Sequence, residues 1–125
     1  MPEKPQSTSP ALSDLQLQAM QDSDRWFPDT SRNFELYTLA MVGEAGEVAN
    51  VVKKIMRGSK LPPTESEAVR HELAMELVDV YVYLLLMSGC LGIDLGKAYD
   101  VKRVTNEQRF SNGGGLLNGS SSAER

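Results

Sequence analysis

Two glutamates three residues apart, Glu44 and Glu47, interrupt the apolar stretch "MVGEAGEVANVVKK". Further on, Glu72, Glu76 and Asp79 interrupt "HELAMELVDVYVYLLLM" at spacings of four and three. On a helix such spacings put side chains on one face, about a turn apart. A carboxylate buried without a partner is strongly disfavoured or neutralises itself, and like charges beside it make matters worse. Two helices that turn such acids toward each other therefore need a cation. An all-oxygen ligand set suits a hard divalent ion, Mg²⁺ or Mn²⁺ as a substitute. The chain has a single Cys and a single His, which leaves no ligand set for a soft metal. The helical di-iron pattern requires Glu-x-x-His on two helices. His71 has no Glu three residues before it, so redox iron is disfavoured.

Basic residues follow the acids. Lys53 and Lys54 come about two turns after Glu47, and "KRVTNEQRF" sets Lys102, Asn106 and Arg109 at spacings of four and three. A solvated mixed-charge face explains that pattern by itself. Beside a divalent cation it could instead meet phosphate oxygens, Arg109 as a bidentate donor and Lys102 as a point charge, which together suggest a triphosphate site. Gly43 and Gly46 each sit directly before one of the first two acids. Each glycine inside a helix costs about 1 kcal/mol relative to alanine. The two positions point to close backbone packing or to close approach of a ligand, packing being preferred.

Four helices are expected to position these groups. The first opens at "SDLQLQAMQDSDRWF", with Ser13 as candidate N-cap, and ends before Pro28. From Asn33, the series Tyr37, Met41, Glu44, Val48, Val51 and Ile55 keeps the helical period until Gly58 and the Pro62-Pro63 pair stop it. A third helix should run from about Glu65 to Ser88, before Gly89. Its segment from Val78 to Tyr83 has strand propensity, but the run is too long for a typical strand and its acids keep helical spacing. A fourth, more polar helix starts at Asp94. The expected architecture is all-α, a four-helix bundle or close relative, over residues 11–110. Pro/Ser/Thr-rich residues 1–10 and Gly/Ser-rich residues 111–125 read as disordered tails.

A length of 125 residues suits one domain, and a net charge of −4 disfavours broad affinity for nucleic-acid polymers or anionic membranes. The run from Leu77 to Met87 is shorter than a membrane span and carries Asp79, so it is assigned to a protein core. Cys90 cannot form an internal disulfide, is expected to be a small buried apolar residue, and fits a reducing cytoplasm. The start "MPEKPQSTSP" lacks the features of an export signal.

The chain resembles the MazG-like all-α nucleoside triphosphate pyrophosphohydrolases over roughly Leu12 to Phe110. The similarity rests on "GEAGEVANVVKK", with Gly43 where the family's E-E-x-x-E segment has its first acid, on "ELVDVYVYLL" for its E-x-x-D segment, and on "KRVTNEQRF" for its K-x-x-x-N-x-x-R ending. The Gly-Glu form, "SRNFELYTLAMV" and "DRWF" resemble the branch that includes dCTP pyrophosphatases. The resemblance implies Mg²⁺-dependent cleavage of a nucleoside triphosphate between its α and β phosphates, giving monophosphate and pyrophosphate. It implies that Glu44, Glu47, Glu76 and Asp79 hold the metal and carry catalysis, with Glu72 beside them. Lys54, Lys102, Asn106 and Arg109 would contact phosphate or sugar; Trp26 and Phe27 would stack on the base and Asn33 would donate to it. A homodimer or homotetramer is implied as well. Two other readings compete: a non-catalytic helical protein that dimerises through its apolar faces, and a hydrolase of a phosphoribosyl nucleotide.

Overall fold

The computed structural model describes residues 11–111, and these form α1 (Leu12–Trp26), α2 (Phe34–Met56), α3 (Glu67–Cys90) and α4 (Leu95–Arg109), with no strand among the described residues. The fold is all-α, as expected. The tails expected at 1–10 and 111–125 lie outside the described residues, except for Ser111. Two compact units result: one holds α1 to α3 and ends at Gly92, and the other begins at Ile93 and holds α4.

Side-chain caps set three of the four helix starts. Asn33 Oδ1 accepts from the Leu36 N–H at 3.0 Å, Ser66 Oγ from Val69 at 3.2 Å and Asp94 Oδ1 from Lys97 at 3.0 Å. Helix α1 differs. It begins after Ala11 without a side-chain cap, so Ser13 lies inside the first turn instead of capping it. Helix α3 begins at Glu67, after its Ser66 cap and two residues later than expected, and the Glu65 N–H is given to the Pro62 carbonyl in the turn before it. Gly58 ends α2 with φ +79, a left-handed conformation that glycine adopts without steric cost.

In the first unit α3 is the central element, packed against both α1 and α2. Its residues Val69, Leu85 and Leu86 are buried together with Tyr37 and Val51 of α2. Gly89 allows α1 to come close, because a Cβ there would stand 2.5 Å from Met20 Sδ. Gln16 Nε2 adds a hydrogen bond to the buried Ser88 Oγ at 2.8 Å. Cys90 is half-buried and donates its thiol to the Met87 carbonyl. Much apolar surface stays uncovered, including Leu39 at 72% exposure and Val42 at 65% on α2. The full helix α3, at 24 residues, is longer than its most apolar run; by length and composition alone it could cross a membrane.

Candidate metal centre and adjoining cavity

The pairing of α2 with α3 brings acids from both helices to one place. Glu44, Glu76 and Asp79 each direct a carboxylate oxygen so that all three lie within 4.8 Å of one another. Glu44 and Glu76 are half-buried and Asp79 is exposed. Burial pushes the Glu76 carboxyl above its ordinary range, and the charges of Asp79, Glu47, Glu44 and Glu72 push it further the same way. Such mutual repulsion is what a bound divalent cation relieves, and three carboxylates from two rigid helices fit the oxygen coordination of a hard ion. Glu47 is exposed and outside this close group, although its charge reaches Glu76. Glu72 is paired, its Oε2 accepting from Lys60 Nζ at 2.8 Å.

Among the described residues, the glycines beside Glu44 serve no close packing. A Cβ added at Gly43 or Gly46 would meet nothing within 4 Å, which corrects the preference for close backbone packing.

A cavity of about 670 Å³ lies among α1, the start of α2 and the second half of α3. Its walls are mostly apolar, with Leu15 and Ala19 from α1, Tyr37 and Ala40 from α2, and Val82 and Tyr83 from α3. Ala40 precedes Glu44 by one turn on α2, while on α3 the wall takes in Val78, the residue before Asp79, so the cavity adjoins the acid cluster. Trp26 and Phe27 line it as well, both 61% exposed, and the Arg25 guanidinium lies 5.3 Å from the Trp26 ring centroid. Asp22 supplies the charged part of the wall, its Oδ1 accepting from Gln18 and Arg25. Asn33 is not among the lining residues; its side-chain oxygen is used as the α2 cap.

Tyr37 anchors the corner where α1 passes into α2. Its hydroxyl bonds the buried Ser23 Oγ at 2.8 Å and accepts from the Arg32 N–H at 2.8 Å. Arg32 itself has φ 67, unusual for a residue with a side chain, and its guanidinium holds Asp24 through contacts of 2.8 and 3.2 Å. The Arg32 hydrogen bond, aided by one from Ser31, lowers the Asp24 pKa. The Tyr37 ring also meets Tyr83 of α3, centroids 6.2 Å apart at 42°.

The basic candidates are distributed over both units. Lys54 is exposed in the last turn of α2. On α4, Lys102 and Asn106 share a shallow concavity of about 230 Å³ with Tyr99, while Arg109 lies over Phe110, 5.2 Å from its centroid.

No protein-family model matches the chain. Among curated proteins, it is 33% identical over 92 residues to the "Gene 37 protein" of Mycobacterium phage L5, covering 74% of this chain and 77% of the phage protein. The chain belongs to the family of that phage protein. It is also 35% identical over 72 residues to "dCTP pyrophosphatase 1" of Rattus norvegicus. That match takes in 58% of this chain and spans only 42% of the rat protein.

Lys60 and Asp22 were not among the residues singled out from the sequence. Lys60 follows a turn marked by Gly58, but which acid it reaches depends on how that turn folds back. Asp22 carries no motif of its own, and only the approach of α2 and α3 makes it part of a cavity wall.

Proposed function

We propose that this chain is a MazG-like, Mg²⁺-dependent pyrophosphohydrolase that cleaves a deoxynucleoside triphosphate to its monophosphate and pyrophosphate. The observation that carries this reading is the position of the apolar cavity, whose wall includes Ala40 one turn before Glu44 on α2 and Val78 beside Asp79 on α3. A nucleotide has the same two parts side by side: a flat base that prefers an apolar pocket and a polyphosphate that needs cations. The similarity to rat dCTP pyrophosphatase 1 supports the chemistry and makes dCTP or a modified deoxynucleotide the first candidate.

In this mechanism Glu44, Glu76 and Asp79 hold the metal. When bound, Mg²⁺ would supply neutralisation of phosphate charge and a lowered pKa for a coordinated water. Glu47, outside the close group but within its field, has lone pairs free to take a proton from the attacking water. Trp26 and Phe27 flank the base, and Tyr37 and Tyr83 complete the cavity wall. Lys54, in the last turn of α2, is the phosphate contact proposed in the unit that holds the acids; the phosphate or sugar roles expected of Lys102, Asn106 and Arg109 fall in the unit that holds α4. The protein acts as a homo-oligomer, a reading supported by the exposed Leu39 and Val42 and by the open surface beside Gly43 and Gly46 on the same helix.

The test is incubation with Mg²⁺ and each common or modified deoxynucleoside triphosphate, with both products identified. Monophosphate plus pyrophosphate is expected, falling by about 100-fold or more in Glu47→Gln or Asp79→Asn. Release of inorganic phosphate alone, or no turnover of any substrate, sinks the proposal.

A further inference from the structure

Five acids surround the α2–α3 contact, and among the described residues one of them has a salt-bridge partner: Glu72, with Lys60 at 2.8 Å. The pair is partly shielded, with side-chain exposures of 27% and 36%, so its charges interact more strongly than a fully solvated pair. The Lys60 backbone is fixed too. The chain turns at Gly58 and folds back on the last turn of α2, where the Lys54 carbonyl accepts from the N–H groups of both Ser59 and Lys60. From that anchored position the ammonium crosses to α3 and meets an acid one turn before Glu76. Glu72 is close enough for its charge to act on Glu76.

We infer that Lys60 sets the cation affinity of the acid cluster by cancelling the charge of Glu72. With Lys60 in place, Glu72 neither joins the ligand set nor adds its full negative potential at Glu44, Glu76 and Asp79. The cluster then binds a divalent ion more weakly than five unbalanced acids would, and the ion can exchange. Lys60 is a positioning residue in this account: it acts through Glu72 and touches neither metal nor substrate. The inference rests on the metal reading of the site proposed above.

Two roles for the pair predict opposite patterns. If the salt bridge only tethers the α2–α3 loop, removing either partner breaks the same tether and shifts metal binding in the same direction. If it balances charge, the two removals shift binding in opposite directions, and removing both restores it. The experiment is titration of the full chain with Mn²⁺ alone, without nucleotide, followed by calorimetry and by the electron paramagnetic resonance of free Mn²⁺. Lys60→Met should tighten Mn²⁺ binding by roughly three- to tenfold, and Glu72→Gln should weaken it by a similar factor, as expected for one unit charge a helical turn or two from a divalent ion. The double variant should fall within about twofold of wild type, by cancellation of the two charge changes. Lys60→Arg should match wild type, and Lys60→Gln provides a second neutral variant so that no conclusion depends on one fold-sensitive substitution. Shifts of the same sign, or no shift in either single variant, overturn the inference and leave the metal reading standing. Wild-type protein that binds no Mn²⁺ overturns the metal reading and this inference with it.

Discussion

Tyr37 and Ser23 share a buried hydrogen bond of 2.8 Å between their hydroxyls, which ties the end of α1 to the beginning of α2. The same Tyr37 oxygen accepts the Arg32 N–H, so one atom closes the corner from both sides. Tyr37→Phe leaves both partners without it, and a buried polar group stripped of its partner costs about 1–3 kcal/mol. A loss of that size is expected in urea unfolding. Ser23→Ala should cost less, since Tyr37 keeps its bond from Arg32.

The raised pKa of Glu76 makes the metal-free protein sensitive to pH in a definite direction. A carboxyl whose folded pKa lies above its unfolded value of 4.5 favours folding below that value, and the benefit is lost as pH rises through the folded pKa. Asp24 behaves in the opposite sense. Its lowered pKa gives stability above the unfolded 3.8 that is lost as pH falls through the folded value. Thermal melts in chelator should therefore decline on the acid side through Asp24 and, as pH rises above 4.5, through Glu76. Glu76→Gln should remove the second decline and raise the melting temperature at pH 7. A divalent cation at a hundred times its dissociation constant should stabilise wild type by about 2.7 kcal/mol and the variant by clearly less.

Gly43→Ala and Gly46→Ala should each stabilise the free chain. The added methyl meets no atom within 4 Å, so the helix gains up to about 1 kcal/mol per site without a clash. Denaturant midpoints check this directly. If a nucleotide or a second copy approaches that backbone, turnover falls in the same variants even as their midpoints rise.

Trp26→Ala should weaken nucleotide binding by about 1–3 kcal/mol, the usual worth of a base stacked on an aromatic ring. Mn²⁺ affinity measured without nucleotide should not change, because Trp26 lines the cavity and not the acid cluster. An equal loss in both measurements would place Trp26 in the fold's support and not at the base.

The helices were legible in the sequence where their period and caps were strong, as for α2 after Asn33 and α4 after Asp94. The first turn of α1 was not, because Ala11 caps with backbone alone and leaves no residue-type signal. At the site, spacing identified the acids, but convergence also depends on how α2 is rotated against α3. That rotation brings Glu44 to Glu76 and Asp79 and leaves Glu47 at the solvent edge. Asn33 shows a different ambiguity: its residue type suits both a helix cap and a base contact, and the cap engages only its side-chain oxygen. Lys60 lay beyond the reach of pattern because its partner is 12 residues away across a folded loop.

The chain has a single tryptophan, Trp26, which lies at the wall of the cavity and is 61% exposed. The protein therefore carries its own optical probe. Excited at the red edge of the indole band, it reports from one place only, and the four tyrosines stay silent. A ligand that enters the cavity displaces water from the indole, moving its emission to shorter wavelength, and a stacked base quenches it. Occupancy can be followed in real time without a label, separately from any event at the carboxylates.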